Sequence, residues 1–218
     1  MKIKSALYYI ICFSFFLSVI SCTRKDVRYW DNGNKKQEQI YKGDKLDGIS
    51  TYWYENGKRQ QECFYKNNKL NGITTRWYFN GNKEREDFYS DDLLNGKSLS
   101  WDKEGKLFKE ENYLGGVLNG NFIQYYPNKR IMISGNYLNG KFNSIWNYFD
   151  ENGTKVGVGK YTNGNGIQKG FYLNGKIKRE IQYKNNLKNG EEIWYDENGK
   201  KIKTIINFNG KLKSQIFY

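Results

Sequence analysis

Histidine, cysteine and paired carboxylates decide first what chemistry this chain can perform. Its 218 residues include no histidine and three cysteines. That excludes every Ser–His or Cys–His nucleophile and every His-ligated metal site. Carboxylates remain. Asp91-Asp92 and Glu110-Glu111 are adjacent in sequence, but neighbouring strand residues point to opposite faces and are poorly placed to share a proton. Segments 102–105, 150–153 and 196–199 are acidic before a glycine, yet they lack the spaced oxygen ligands of a calcium loop and read as turns. Gly157-Val158-Gly159 and Gly164-Asn165-Gly166 precede no helical pattern, so a phosphate loop fails too. The expectation is a non-enzyme with no catalytic residue, no metal ligand and no cofactor.

The elements that remain are aromatic. Leu, Ile, Val and Phe number 51, about 23% of the chain, a thin aliphatic supply. Against it stand 19 Tyr, 13 Phe and 6 Trp. Any core must be aromatic rather than aliphatic. Trp53, Trp77, Trp101 and Tyr125 recur at one spacing among lysines and arginines. They are the candidate partner-binding residues if their stripe is partly open, and simply core if it is closed. A ladder of this kind suits single-stranded nucleic acid, but the export signal described next removes nucleic acid as a partner.

Residues 1–22 read MKIKSALYYIICFSFFLSVISC. Lys2 and Lys4 precede an apolar run from Ala6 to Ile20, short for a bilayer span and suited to a secretory signal. Val19-Ile20-Ser21-Cys22 resembles a bacterial lipobox. That resemblance implies a signal peptide over 1–21, Cys22 as the lipid-modified residue, and an anchor with a short linker over 22–28. Cys12 lies within the signal and Cys22 is acylated on this reading, so Cys63 is left alone and no internal disulfide forms. It is expected to be a half-buried small hydrophobe near a strand end. The residues after Cys22 lack an aspartate in the next position, which favours the outer membrane of a bacterial envelope. Without Lys2 and Lys4 the balance is 34 basic against 23 acidic residues, or +11, which favours anionic surfaces.

One period organises residues 29–218. Tyr41, Tyr65, Tyr89, Tyr113, Tyr137 and Tyr161 are 24 residues apart, as are Gly48, Gly72, Gly96 and Gly120. Gly33, Gly57, Gly81, Gly105 and Gly153 keep a parallel grid with Lys129 in the missing slot. Chance does not place six tyrosines so. Asn-Gly occurs fourteen times, the strongest short hairpin signal. Two-residue turns at Asn56-Gly57 and Asn68-Lys69 account for the period, with Trp53 facing Gln60 and Tyr65 lying between Gly48 and Gly72. The Asn-Gly pairs at 71–72, 95–96 and 119–120 then read as strand starts. Ile49, Thr51, Ile73, Thr75, Leu99, Ile123 and Ile193 share the tryptophan face by alternation. The predicted fold is all-β: a repetitive antiparallel β-meander of about eight 24-residue hairpins, some 16 strands in an elongated twisted sheet, with no helix after the signal. Segment 157–170 is glycine-rich and expected to be irregular.

The unit Trp53-Tyr54-Glu55-Asn56-Gly57-Lys58, with Tyr65 eight residues after the glycine and then Leu70-Asn71-Gly72, resembles the bacterial variant of the MORN repeat. Trp194-Tyr195-Asp196-Glu197-Asn198-Gly199-Lys200 matches it as well. That variant characterises the YwqK family of toxin–antitoxin antitoxins. The resemblance implies a non-enzymatic scaffold that binds another macromolecule, here lipid-anchored, with a protein partner such as a toxin. The alternative is an envelope protein that binds glycan or anionic lipid.

Overall fold

A computed structural model describes residues 22–218; the predicted signal peptide, 1–21, lies outside the described residues. The first half runs β1 (Thr23–Tyr29), β2 (Lys35–Lys42), β3 (Lys45–Trp53), β4 (Arg59–Lys66), β5 (Lys69–Trp77), β6 (Lys83–Ser90), β7 (Leu93–Trp101) and β8 (Leu107–Leu114). The second half runs β9 (Val117–Leu118), β10 (Gly120–Tyr125), β11 (Ile131–Leu138), β12 (Lys141–Phe149), β13 (Lys155–Thr162), β14 (Asn165–Phe171), β15 (Ile177–Lys184), β16 (Leu187–Tyr195), β17 (Lys201–Phe208) and β18 (Lys211–Phe217). Each strand pairs antiparallel with its neighbour in sequence, and β8 pairs with both β9 and β10. The all-β meander is therefore one open twisted sheet, without helix among the described residues. Among the described residues there are 18 strands rather than about 16: β9 and β10 are one strand broken at Asn119, and most of 22–28, read from the sequence as anchor and linker, lies in β1, which pairs with β2 with a register shift between Arg28 and Tyr29.

Two kinds of turn alternate, and both differ in detail from the predicted ones. The Asn56-Gly57 turn has three loop residues, Glu55 to Gly57, closed by Tyr54 N–H to the Lys58 carbonyl at 2.9 Å. Gly57 N–H also reaches the Tyr54 carbonyl, with Gly57 at φ +80. This is a type I turn followed by a left-handed residue, so Trp53 faces Arg59 and not Gln60. The two-residue turns lie elsewhere. Asn67 and Asn68, at φ 52 and 69, form a type I′ turn, as do Asp91 and Asp92 at 47 and 69. Hence Tyr65 faces Leu70 rather than Gly72. Gly72, predicted at a strand start, sits inside β5 at φ +116, where the β4–β5 register slips by two residues. That bulge needs a residue free to take positive φ. Tyr65, Tyr89 and Tyr113 consequently have a cross-strand glycine on one side only, Gly48, Gly72 and Gly96 respectively.

The two faces divide differently from the expected division. Tyr65, Cys63, Thr74, Asp87 and Tyr89 lie on one face, with Trp146, Tyr161 and Ile181 further along. This is the buried face: Cys63 is 2% exposed and in mid-strand, not half-buried at an end. Its aromatic core lies in the second half. Trp146 packs against Phe142 at 4.8 Å between ring centroids, Tyr137 at 5.0 Å and Phe122 at 5.5 Å. Tyr161 joins through Phe142 and Tyr183. Each such pair contributes about 0.5–1.5 kcal/mol beyond area burial. Gly135 lies under Trp146, where a Cβ would overlap the ring. The same need for space turns the supposedly irregular 157–170 into regular strands. Gly157 faces Tyr148 and Gly159 faces Trp146 across β12–β13, and β13 and β14 pair without a register break.

Lys129 occupies the left-handed slot that glycine fills in sister loops, at φ 68. Replacing it with glycine, Lys129→Gly, is expected to raise unfolding stability by about 1 kcal/mol, read in urea. Gly57→Val should act oppositely. Its site has open space, with Asn34 no closer than 3.6 Å to an added Cβ, so only backbone strain of about 1–3 kcal/mol is at issue. Equal stability of the two variants would refute this account of the loops.

Candidate functional site

Trp53, Trp77, Trp101 and Tyr125 end β3, β5, β7 and β10 and lie on the face opposite the aromatic core, each half-buried. The sequence therefore grouped them correctly, but they are not the buried core. A cation lies over three of the rings: Lys35 over Trp53 at 5.5 Å, Arg59 over Trp77 at 5.9 Å and Lys83 over Trp101 at 5.3 Å. Each cation is 18 positions before its tryptophan and also pairs with the carboxylate three residues on. Lys35 meets Glu38 at 2.8 Å, Arg59 meets Glu62 at 3.4 Å and Lys83 meets Glu86 at 2.7 Å. Backbone carbonyls of the same tryptophans accept bonds from the preceding repeat: Trp30 Nε1 to Trp53, Tyr54 OH to Trp77 and Tyr78 OH to Trp101. Tyr125 donates its hydroxyl to Glu110 at 2.6 Å. The row is held from below and capped from above.

The open part of this face is a row of which the sequence reading placed Ile49 and Ile73 and missed Phe64 and Phe88. Ile49 pairs with Phe64 across β3–β4, and Ile73 with Phe88 across β5–β6. They are 49%, 40%, 57% and 44% exposed. Phe64 lies over the bulge glycine Gly72, and Phe88 over Gly96. The apolar stripe stops there, because the next pair is Lys97 with Asn112. The signal was present in the sequence, since a large apolar residue precedes Tyr41, Tyr65 and Tyr89 and a polar one precedes Tyr113 and Tyr137. Alternation assigns residues to faces but does not say which face water reaches.

The acidic pairs resolve into structure. Asp92, in its two-residue turn, accepts the Leu70 N–H of the preceding repeat at 2.7 Å. Glu110 and Glu111 point to opposite faces, one to Tyr125 and Lys97 and the other to Lys109 at 3.1 Å. Asp102, Asp150 and Asp196 each cap their own loop through a backbone N–H at 2.8 Å. Among the described residues no group of acidic or cysteine side chains is placed to hold a metal. Cys22 is exposed and immediately precedes β1.

Four segments match the model of the MORN repeat variant: 46–67, 94–114, 164–185 and 188–208. Those four segments are MORN-variant repeats. Each matched segment covers one hairpin closed by a three-residue loop, namely β3–β4, β7–β8, β14–β15 and β16–β17. The intervening hairpins, such as β5–β6 and β12–β13, have the same construction, so the hairpin array is continuous in three dimensions. No curated protein matches the chain.

The hydroxyl of Tyr125, followed by the ammonium of Lys97, holds the Glu110 carboxyl below its ordinary range. Burial first, then Glu110, pushes Tyr125 up to about 12. A lowered folded-state pKa means stability that is present above the unfolded pKa and lost as pH falls through the folded one. Stability should therefore drop as pH falls from about 5 to about 3. Glu110→Gln should flatten part of that drop in thermal melts across the range. An identical acid profile in the variant would exclude this contact as a contributor.

Proposed function

We propose that this chain is a non-enzymatic, lipid-anchored repeat scaffold that docks a protein partner. The observation carrying the proposal is the exposed Ile49–Phe64–Ile73–Phe88 stripe, flanked by the tryptophan row and its cations Lys35, Arg59 and Lys83. Contiguous apolar side chains on a sheet face lose free energy to water until something covers them. The cationic margin selects a partner whose apolar patch is edged by acidic residues. A toxin neutralised at the membrane fits, and so the antitoxin or immunity role belongs to this reading. Capture from the protein's own cells provides the readout. Phe64→Ser and Phe88→Ser should each weaken retention of the captured partner about tenfold or more, with little change in melting, because both rings are already two-fifths open. Trp77→Ala, by contrast, removes a half-buried ring and should cost about 1–3 kcal/mol of stability. Undiminished capture by both phenylalanine variants would rule out the stripe.

A second reading rests on the polar continuation of this face. Beyond Phe88 the same row becomes Lys97–Asn112 and Asn121–Asn136, amides beside Tyr125 that suit a glycan, while the net charge suits anionic lipid. Saturable binding to isolated envelope glycan or to anionic vesicles, lost in Asn121→Ala and kept in Phe64→Ser, would favour it over a protein partner.

The anchor belongs to the proposal as well. Cys22 is the residue that would be acylated, placing the array at the bacterial envelope with the outer membrane as destination. Cys22→Ser should release the protein from membranes or block its processing, and should abolish labelling by a fatty-acid analogue. Equal labelling of the variant would sink the assignment.

A further inference from the structure

The buried face carries an arrangement that its packing does not explain. Across β4, β5 and β6, Gln61 faces Arg76 and Arg76 faces Arg85. Like charges directly opposite one another destabilise a sheet. Arg85 is compensated: its Nε lies 2.9 and 2.8 Å from the two oxygens of Asp87. The next cation along the same face, Lys109, has Glu111. Arg76 has no carboxylate partner among the described residues. These side chains line a cavity of about 290 Å³ with Gln61, Thr74, Asp87 and Tyr89. Thr74 is 5% exposed, and its Oγ1 has no hydrogen-bond partner among the described residues. Ser50 and Ser98 present unpartnered hydroxyls at equivalent places, but neither has two opposed arginines beside it. A surplus positive charge, a buried hydroxyl and an open space therefore converge at one repeat only.

We propose that this cavity is an oxyanion site that takes a single carboxylate or phosphate group. Arg76 and the guanidinium nitrogens of Arg85 not engaged by Asp87 supply the charge, and the Thr74 hydroxyl donates the third bond. Guanidinium forks match the planar geometry of such groups. Asp87, already neutralised by Arg85, limits the site to one anion. The group comes either from a free small anion or from an acidic side chain of a protein seated on this face. The site is on the opposite side of the sheet from the apolar stripe, so it stands or falls separately from the docking surface.

The test is a titration of the full chain, following the arginine Nε–H resonances by NMR. The probes are inorganic phosphate, acetate and a blocked glutamate tripeptide. Saturation by phosphate or acetate supports the site with a free anion as source; saturation by the peptide alone supports it with an acidic side chain as source. In either case Arg76→Gln should weaken binding about tenfold or more. Without anion the same variant should melt no lower than the parent, because it removes a like-charge contact. That outcome separates a binding role from a structural one. Thr74→Val, which keeps the shape, should weaken binding by a smaller factor. Failure of all three probes to saturate, or equal saturation in Arg76→Gln, would overturn the proposal.

Discussion

The fold depends on hydrogen bonds from one turn to the equivalent turn of the next repeat. Along one edge of the sheet the loop asparagine reaches the carbonyl 23 residues on: Asn32 to Glu55, Asn56 to Phe79, Asn80 to Lys103 and Asn128 to Glu151. In the same loops its other side-chain atom accepts the N–H two residues ahead, as Asn56 does from Lys58. Along the opposite edge the second residue of each two-residue turn donates to the turn before it, Asn68 to Leu46, Asp92 to Leu70 and Gly116 to Leu94. Both edges are thus tied at the period of the repeat. A repeat of a different length misaligns the loop bonds to its neighbours, which favours a constant spacing. Asparagine is preferred before glycine because it does both jobs at once, tightening its own loop and joining it to the next.

With the edges fixed, the sheet can tolerate a poor interior. In the first half the row Gln39, Ser50, Cys63, Thr74, Asp87, Ser98 and Glu111 is buried yet mostly polar or small, and grid tyrosines flank it. In the second half Trp146 and its aromatic neighbours fill the same face. The two halves therefore share a backbone and differ in what they enclose. Burial raises the pKa of Tyr65, Tyr89 and Tyr113, keeping these hydroxyls protonated, so the charge on the enclosed face is that of its acid–base pairs and of Arg76. The opposite face specialises along its length as well, apolar from Ile49 to Phe88 and polar across Lys97–Asn112 and Asn121–Asn136. Such differences between repeats are where a repetitive scaffold acquires specificity.

The periodicity was legible because it is written in residues with special backbone needs. Gly57 and Gly81 do take positive φ, at 80 and 96, and alternation did place Trp53, Trp77 and Trp101 on one face. Two-residue and three-residue loops were harder to separate. Asn-Gly serves both, and the pair at 71–72 serves neither, forming a bulge in mid-strand. A single misplaced turn moved Tyr65 from Gly72 to Leu70 without disturbing the period. The apolar row of Phe64 and Phe88 was overlooked for a related reason: alternation assigns residues to faces but not faces to solvent.

By itself the sequence determined an all-β hairpin array, its 24-residue period, the common face of the tryptophans and the absence of histidine chemistry. These follow from local rules: φ preferences, strand alternation and composition. Only the tertiary structure decided which face is enclosed, because that depends on the twist and curvature accumulated over 18 strands rather than on any one hairpin. It likewise decided that Arg76 meets Arg85 beside a cavity and that a lysine or arginine lies over Trp53, Trp77 and Trp101. Residues 9 or 18 positions apart become neighbours only once bulges and loop lengths have set the register between strands.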